Sequence, residues 1–244
     1  MLPTSSLIFT QQYQTKAEYA AEQIHNAILS GIYPAGSRLL IDDISRTYNI
    51  SAIPVREALH RLEALALVEI HSYRGIYVKE LTYEEFEDSF GTRMILECIA
   101  LEKAAKIFTT ENIKLAQQLL DRYVSLLKSD LSLEAREVHK ELHFSLYRAA
   151  HSPLLLKAID LVWRNSERYR FFAGKFQTAD AAIIEHQLII DACGKQKPKI
   201  ARMALTDHIR NAVGRISKNL KNSGISKTNV LKAINSAKHC KTGG

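Results

Sequence analysis

The run NISAIPVREALHRLEALAL, residues 49–67, limits what this chain can fold into more than any other stretch. Ser51 is placed to cap a helix, Pro54 fits its first turn, and Val55, Ala58, Leu59, Leu62 and Leu65 recur at helical spacing. Arg56, His60 and Arg61 fall on the other side, so the segment is a short amphipathic helix with cations on its open face. Upstream, IDDISRTYNI builds a second amphipathic segment on Ile41, Ile44 and Tyr48. Asn49, a residue type that tolerates the left-handed conformation, marks the hinge between the two. Downstream, VEIHSYRGIYV reads as a strand over 68–71, a break over 72–75 and a second strand over 76–78. Helix, turn, helix and hairpin in that order make a winged helix-turn-helix. Agreement of three consecutive elements disfavours a helical core from some other small domain.

Ahead of this motif, residues 1–13 form a polar arm, and 16–30 an amphipathic helix with Ala20, Ile24, Ala27 and Ile28 inward; Gly31, Pro34 and Gly36 then break it. From Leu81 the pattern changes. Between 82 and 220 there are few glycines or prolines, repeated helical periodicity and no strand-like alternation. Helices are expected near 82–108, 110–128, 131–150, 153–172, 178–194 and 198–219. Thr82 with Glu85 has the form of a capping box, Ser152 precedes Pro153, and Pro198 opens the last helix. The expected fold is mainly α: a winged helix-turn-helix with a small hairpin wing over 1–80, an all-α six-helix bundle over 81–221, and a flexible basic tail over 222–244.

A chain of 244 residues has room for two modest domains, and 46% hydrophobic with 24% charged residues is the balance of a folded soluble protein. The N-terminus has no basic region before its short apolar run at 7–9, so neither a signal peptide nor a membrane span is expected. Cys98, Cys193 and Cys240 are scattered and odd in number, which fits reduced thiols in a cytoplasmic protein; Cys98 and Cys193 read as core. The net charge of +7 does not come from the first 80 residues. There Lys16, Arg38, Arg46, Arg56, Arg61, Arg74 and Lys79 are outnumbered by Glu18, Glu22, Asp42, Asp43, Glu57, Glu63, Glu69 and Glu80. Placement of cations on the helix face and wing, rather than their total, is what would bind phosphates. The excess lies after Gly214, in Arg215, Lys218, Lys221, Lys227, Lys232, Lys238 and Lys241 with no acid among them. A solvated end and an extra non-specific attraction to DNA both fit that run.

GIYPAGSRLL followed by NISAIPVREALHRLEALALVEIHSYRGIYV resembles the DNA-binding domain of GntR-family bacterial transcription regulators, over about 20–79. The resemblance implies a homodimer on a palindromic double-stranded DNA operator, with the recognition helix in the major groove and the wing tip nearby. By position, Arg38, Arg46 and Arg56 correspond to the cations such proteins use on phosphates and bases, and Arg74 and Gly75 to the wing pair. The chain departs from the family pattern just before PVREAL. Where Ser-Arg-Thr or Ser-Arg-Ser is usual, it has Ser51, Ala52 and Ile53. An arginine that reaches a guanine edge is thus missing, and apolar contact of Ala52 or Ile53 with a thymine methyl is a plausible substitute.

RMILECIALEKAAK, HFSLYRAAHSPLL and EHQLIIDAC, in that order, resemble the helical ligand-binding domain, FCD, of the FadR-like branch of the same regulators. His139 and His143 lie at i and i+4, so both rings leave one helix face, the spacing of two ligands to one metal. The resemblance adds His186 and His208 as the remaining ligands. It also implies Asp at the first position, where this chain has His139. An all-imidazole set suits Zn, and Ni, Cu or Co are chemically reasonable. Four separate surface or core histidines are the alternative. Arg93 matches an arginine that holds a small carboxylate effector in such domains; an i,i+4 ion pair with Glu97 on a solvated face fits it equally. Trp163, Tyr169, Phe171 and Phe172 read as core or dimer-interface aromatics.

These readings make the chain a ligand-responsive regulator, a repressor by resemblance, sensing a carboxylate beside a histidine-bound metal. A regulator with a metal-free cavity for an acyl or other apolar ligand is the nearest alternative. A zinc hydrolase is remote: HKELH lacks Glu directly after its first His, Lys140 holds that place, and Glu141 points to the helix's other side, leaving no catalytic residue to assign.

Overall fold

Thr15 Oγ1 accepts from the Glu18 N–H at 3.1 Å while Glu18 reaches back to the Thr15 N–H at 3.2 Å, a reciprocal cap that starts the first helix. The computed structural model describes residues 15–128, 132–172 and 180–225, and it divides into two compact units between Glu80 and Leu81. The N-terminal arm, the segment 226–244 with its four lysines, and Cys240 lie outside the described residues.

The first unit runs α1 (Lys16–Leu29), β1 (Arg38–Leu39), α2 (Ile41–Tyr48), α3 (Ala52–Ala64), β2 (Val68–His71) and β3 (Gly75–Val78). Ile24 of α1, Ile44 of α2, and Val55, Leu59 and Leu62 of α3 are buried together with Leu67 and Val78. Burying apolar side chains of this size stabilises by about 1.5–3 kcal/mol each, enough to hold three short helices that would not persist alone. Asn49 ends α2 at φ 53°, ψ 48°, the left-handed turn into α3. Two details differ from expectation. Ser51 stands at the α3 N-cap but makes no side-chain capping bond. The wing is a three-stranded antiparallel sheet, order β1-β3-β2, in which Arg38 pairs with Tyr77 and Leu39 with Ile76. A two-residue strand has too little alternation to be visible in sequence.

The second unit is an all-α bundle of α4 (Tyr83–Ala104), α5 (Thr110–Lys128), α6 (Ser132–Arg148), α7 (Pro153–Phe172), α8 (Asp180–Gly194) and α9 (Pro198–Asn222). α4 packs on α7 and α9, α5 on α6 and α8, and α8 on α9. Phe86, Leu101, Tyr123, Leu142, Ile159, Trp163, Tyr169, Ile189 and Leu205 fill the centre. α4 stops four residues short of the expected end, and Thr109 and Asn112 then exchange the bonds that open α5. α9 runs three residues past its expected end, carried by the buried Leu220. Thr82 Oγ1 caps the Glu85 N–H, while the Glu85 carboxylate accepts from Arg168 and from Tyr169 Oη. Trp163 and Tyr169 are buried within their own bundle, Phe171 is half-buried, and the Phe172 side chain is outside the description. Among the described residues no helix is long and apolar enough to cross a membrane.

Candidate metal centre and nucleic-acid face

The exposed side of α3 carries Arg56, which no acid pairs with among the described residues, and Ile53, whose side chain is 71% exposed. Ser51 is also exposed and Ala52 half-exposed, so the four residues at the front of α3 share one open surface. Arg46 on α2 is exposed and ion-paired with Asp43. Arg74 is exposed in the β2–β3 turn, and Gly75 follows it at φ +103°. Arg38 lies on β1 with its guanidinium packed over Gly75. The strand that sequence reading missed is thus what brings Arg38 to the wing.

In the bundle, His139 and His143 project from α6, His186 from α8 and His208 from α9, each at most 6% exposed. One nitrogen of each lies within 4.8 Å of the others. His143 Nε2 is 3.1 Å from His186 Nε2, and His186 Nε2 is 3.2 Å from His139 Nε2. These are not four scattered residues. The nitrogens on the outer side are bound in turn. His186 Nδ1–H donates to the Ala182 carbonyl at 2.5 Å, and His208 Nδ1–H to Glu185 at 2.8 Å. Tyr147 Oη donates its proton to Glu97 at 2.6 Å, so it accepts from His143 Nδ1–H at 3.0 Å.

Three rings are thereby fixed as Nδ1–H tautomers with Nε2 lone pairs turned inward, the second-layer arrangement that orients metal-bound histidines. Two such lone pairs at 3.1 Å repel unless a cation lies with them. A proton is a poor candidate, since burial and the neighbouring positive groups push His139, His143 and His186 well below the ordinary imidazole range. Burial pushes His208 down too, against the opposing pull of Glu185. The donor set fits a divalent metal.

Every helix of the bundle reaches this cluster or its support. Tyr123 of α5 packs its ring 5.0 Å from His139, and Trp163 of α7 lies 5.1 Å from His143. The Trp163 Nε1–H is buried with no hydrogen-bond partner among the described residues. Arg93 and Glu97 of α4 are 3% and 0% exposed, so theirs is a buried pair and not one on a solvated face. Arg93 Nε donates to Glu97 at 2.6 Å and Nη1 to Ser166 at 3.0 Å, with Cζ 3.9 Å over the Trp163 ring. Arg170, absent from the sequence reading, approaches His139 Nδ1 at 3.4 Å, and burial brings its pKa down to about 10. Tyr147, at i+4 from His143, and Glu185, beside His186, had a signal in their spacing. Arg170 had none. Lys140 pairs with Asp160 at 2.7 Å and Glu141 with Arg148, so neither side chain of HKELH between the histidines serves the cluster.

A winged helix-turn-helix followed in one chain by an all-α bundle with a buried ligand cluster is the layout of a DNA-binding transcription regulator with a sensing domain. The family described as bacterial regulatory proteins, gntR family, matches residues 16–78 and the FCD domain matches 88–211. The chain belongs to the GntR family of transcription regulators and carries an FCD domain. It is 28% identical over 206 residues to the Uxu operon regulator of Haemophilus influenzae, covering 75% of each chain. It is also 28% identical over 162 residues to the HTH-type transcriptional regulator BphR of Paraburkholderia xenovorans, covering 63% of this chain and 65% of that one. The solved structure of E. coli McbR/YncC shares the fold at TM-score 0.75 and 18% identity, over 84% of this chain and 99% of that one.

Proposed function

We propose that this regulator binds a palindromic operator as a homodimer and represses from it until a small carboxylate binds beside a divalent metal held by His139, His143, His186 and His208. Zinc suits the imidazole set best, with Ni, Cu or Co as chemical alternatives. The observation that carries the reading is the convergence of buried Nε2 atoms at 3.1 and 3.2 Å, with the outer nitrogens of His143, His186 and His208 tied to acceptors. When bound, the metal supplies a Lewis-acidic position for a carboxylate oxygen.

The chain's own residues do the rest. Tyr147, Ala182 and Glu185 hold three rings in register, and Trp163, Tyr123 and the surrounding core exclude water. Arg170, Arg93 and the unpartnered Trp163 Nε1–H are the donors at hand for an anion. Arg93 already holds Glu97, so a carboxylate reaching it competes with a buried ion pair. In the head, Arg38, Arg46, Arg56 and Arg74 supply phosphate and base contacts, and Ile53 and Ala52 apolar contact.

The test is metal content of protein purified without chelator or affinity-resin metal, wild type beside His143→Ala. Metal near one per chain, lost in the variant, is the expected result. Metal absent from both would redirect the effector search to apolar ligands while leaving the DNA-binding head as it stands.

A further inference from the structure

Hydrogen bonds can run in either direction through a tyrosine, because its hydroxyl both donates and accepts. Tyr147 stands between Glu97 and His143, with Oη 2.6 Å from Glu97 Oε2 and 3.0 Å from His143 Nδ1. The far end decides the direction. Glu97 is fully buried and paired with Arg93, whose Nε donates to Oε1 at 2.6 Å, and a carboxylate held in such a pair has only lone pairs to offer. The tyrosine proton therefore points at Glu97, and an oxygen lone pair is left for the His143 Nδ1–H. Both bonds run toward the carboxylate, and the His143 Nε2 lone pair faces His186. Arg93, Glu97, His143 and Tyr147 are each at most 3% exposed, so bulk solvent does not compete for these bonds.

Resting on the metal reading above, we propose that Glu97, one bond behind Tyr147, is a positioning residue for the metal. Acting through the phenol, it sets which nitrogen of His143 carries the proton and so keeps Nε2 open as a ligand. Glu185 does the same for His208 directly. α4, whose sequence holds no histidine, thus takes part in supporting the site. Glu97→Gln reverses the chain. Arg93 Nε keeps the amide oxygen at the Oε1 position, which turns the amide N–H groups toward Tyr147. The hydroxyl then accepts on that side and gives its proton to His143 Nδ1. The proton of the ring moves to Nε2, and no lone pair is left there for a metal.

Nitrogen-detected NMR of the metal-free protein reads the tautomer of His143, assigned by its loss in His143→Gln. Expected is Nδ1–H in wild type, Nε2–H in Glu97→Gln and no fixed preference in Tyr147→Phe. Cobalt(II) titration then reads affinity. Tyr147→Phe should bind about 10–100-fold more weakly than wild type, the range for removing a partner behind a ligand. Glu97→Gln should lose at least as much with Tyr147 present, and less in the Tyr147→Phe background, where the relay is already cut. Ser166→Ala loosens Arg93 from its other side without touching the relay, and should bind cobalt as wild type does. Tyr147→Phe removes no buried charge, so it keeps the test decisive where Glu97→Gln does not fold.

Equal loss from Glu97→Gln with and without the Tyr147 hydroxyl overturns the relay. So does Nδ1–H at His143 in Glu97→Gln, wild-type affinity in Tyr147→Phe, or a loss in Ser166→Ala that matches Glu97→Gln. Wild type that binds no cobalt, while the tautomers come out as expected, overturns the metal reading and upholds the relay.

Discussion

Arg38 Nε would stand 3.0 Å from a methyl group added to Gly75, and Arg38 Nη2 3.2 Å from it. The two residues are far apart in the chain, yet the β1–β3 pairing makes them one surface at the tip of the wing. Gly75 is therefore required twice over, for its backbone at φ +103° and for the room it leaves the guanidinium. Gly75→Ala should lower head stability by on the order of 1 kcal/mol and weaken operator binding. Arg38→Ala should reproduce the weaker binding with no loss of stability. Calorimetric melting beside electrophoretic shift titration separates the two effects, and full operator affinity in Arg38→Ala would remove Arg38 from the interface.

Arg56 is exposed on α3 beside the bare Ile53. Arg56→Ala should cost about 1–3 kcal/mol of operator affinity if it makes a bidentate base contact. Ile53→Ala should relax discrimination at one base pair and leave the salt dependence alone, because no phosphate contact is lost. A salt series on matched and mismatched operators reads both, and a changed salt slope in Ile53→Ala would argue against contact with a base methyl.

Metal bound only by the folded chain stabilises it by mass action. Free zinc at one hundred times its dissociation constant should add about 2.7 kcal/mol to unfolding. His143→Ala should abolish this dependence. Denaturation with and without chelator measures it, and equal chelator sensitivity in wild type and variant would place the metal elsewhere.

Glu97 is fully buried against Arg93 and accepts from Tyr147. Removing it strands a buried guanidinium, so Glu97→Leu should destabilise by about 3–5 kcal/mol. Replacing both partners, Arg93→Leu with Glu97→Leu, should cost less than the single change. A double variant worse than Glu97→Leu would show that the pair itself stabilises the bundle.

Asp160 gives a pH test outside the cluster. Burial raises its pKa, but Lys140 and Arg164, at 2.7 and 2.9 Å, outweigh that and hold it below the ordinary carboxylate range. A depressed folded-state pKa means its contribution is fully present above the unfolded carboxylate value and is lost as pH falls through the folded one. Asp160→Asn should therefore destabilise at neutral pH, with the deficit shrinking as the pH falls below the ordinary carboxylate range. Urea midpoints across that range check the sign; a deficit that grows on acidification would contradict it.

The sequence made some of this legible because local chemistry had to declare itself. Asn49 marked a left-handed hinge, and the apolar period of α3 stated which face it buries. His139 and His143 advertised a shared face by spacing, and resemblance added the two partners that only tertiary packing brings near. What stayed hidden depends on that packing. β1 exists because β3 offers it an edge, and Arg93 and Glu97 are i,i+4 whether exposed or buried. Arg170 meets His139 only because α7 lies beside α6. A residue's second nitrogen and what stands behind it are not written in any periodicity.

His186 has one further consequence. On the front half of α8 only Ala182 and His186 are fully buried, whereas Ile189, Ile190, Ala192 and Cys193 anchor the back half. A cation gripping His186 therefore works as a clasp on the start of α8, joining it to α6 across 43 residues of chain. Release of that clasp should raise amide exchange over the first two turns of α8 while α4 and the rear of α8 stay protected, so that ion occupancy is read out as local order rather than as folding of the whole bundle.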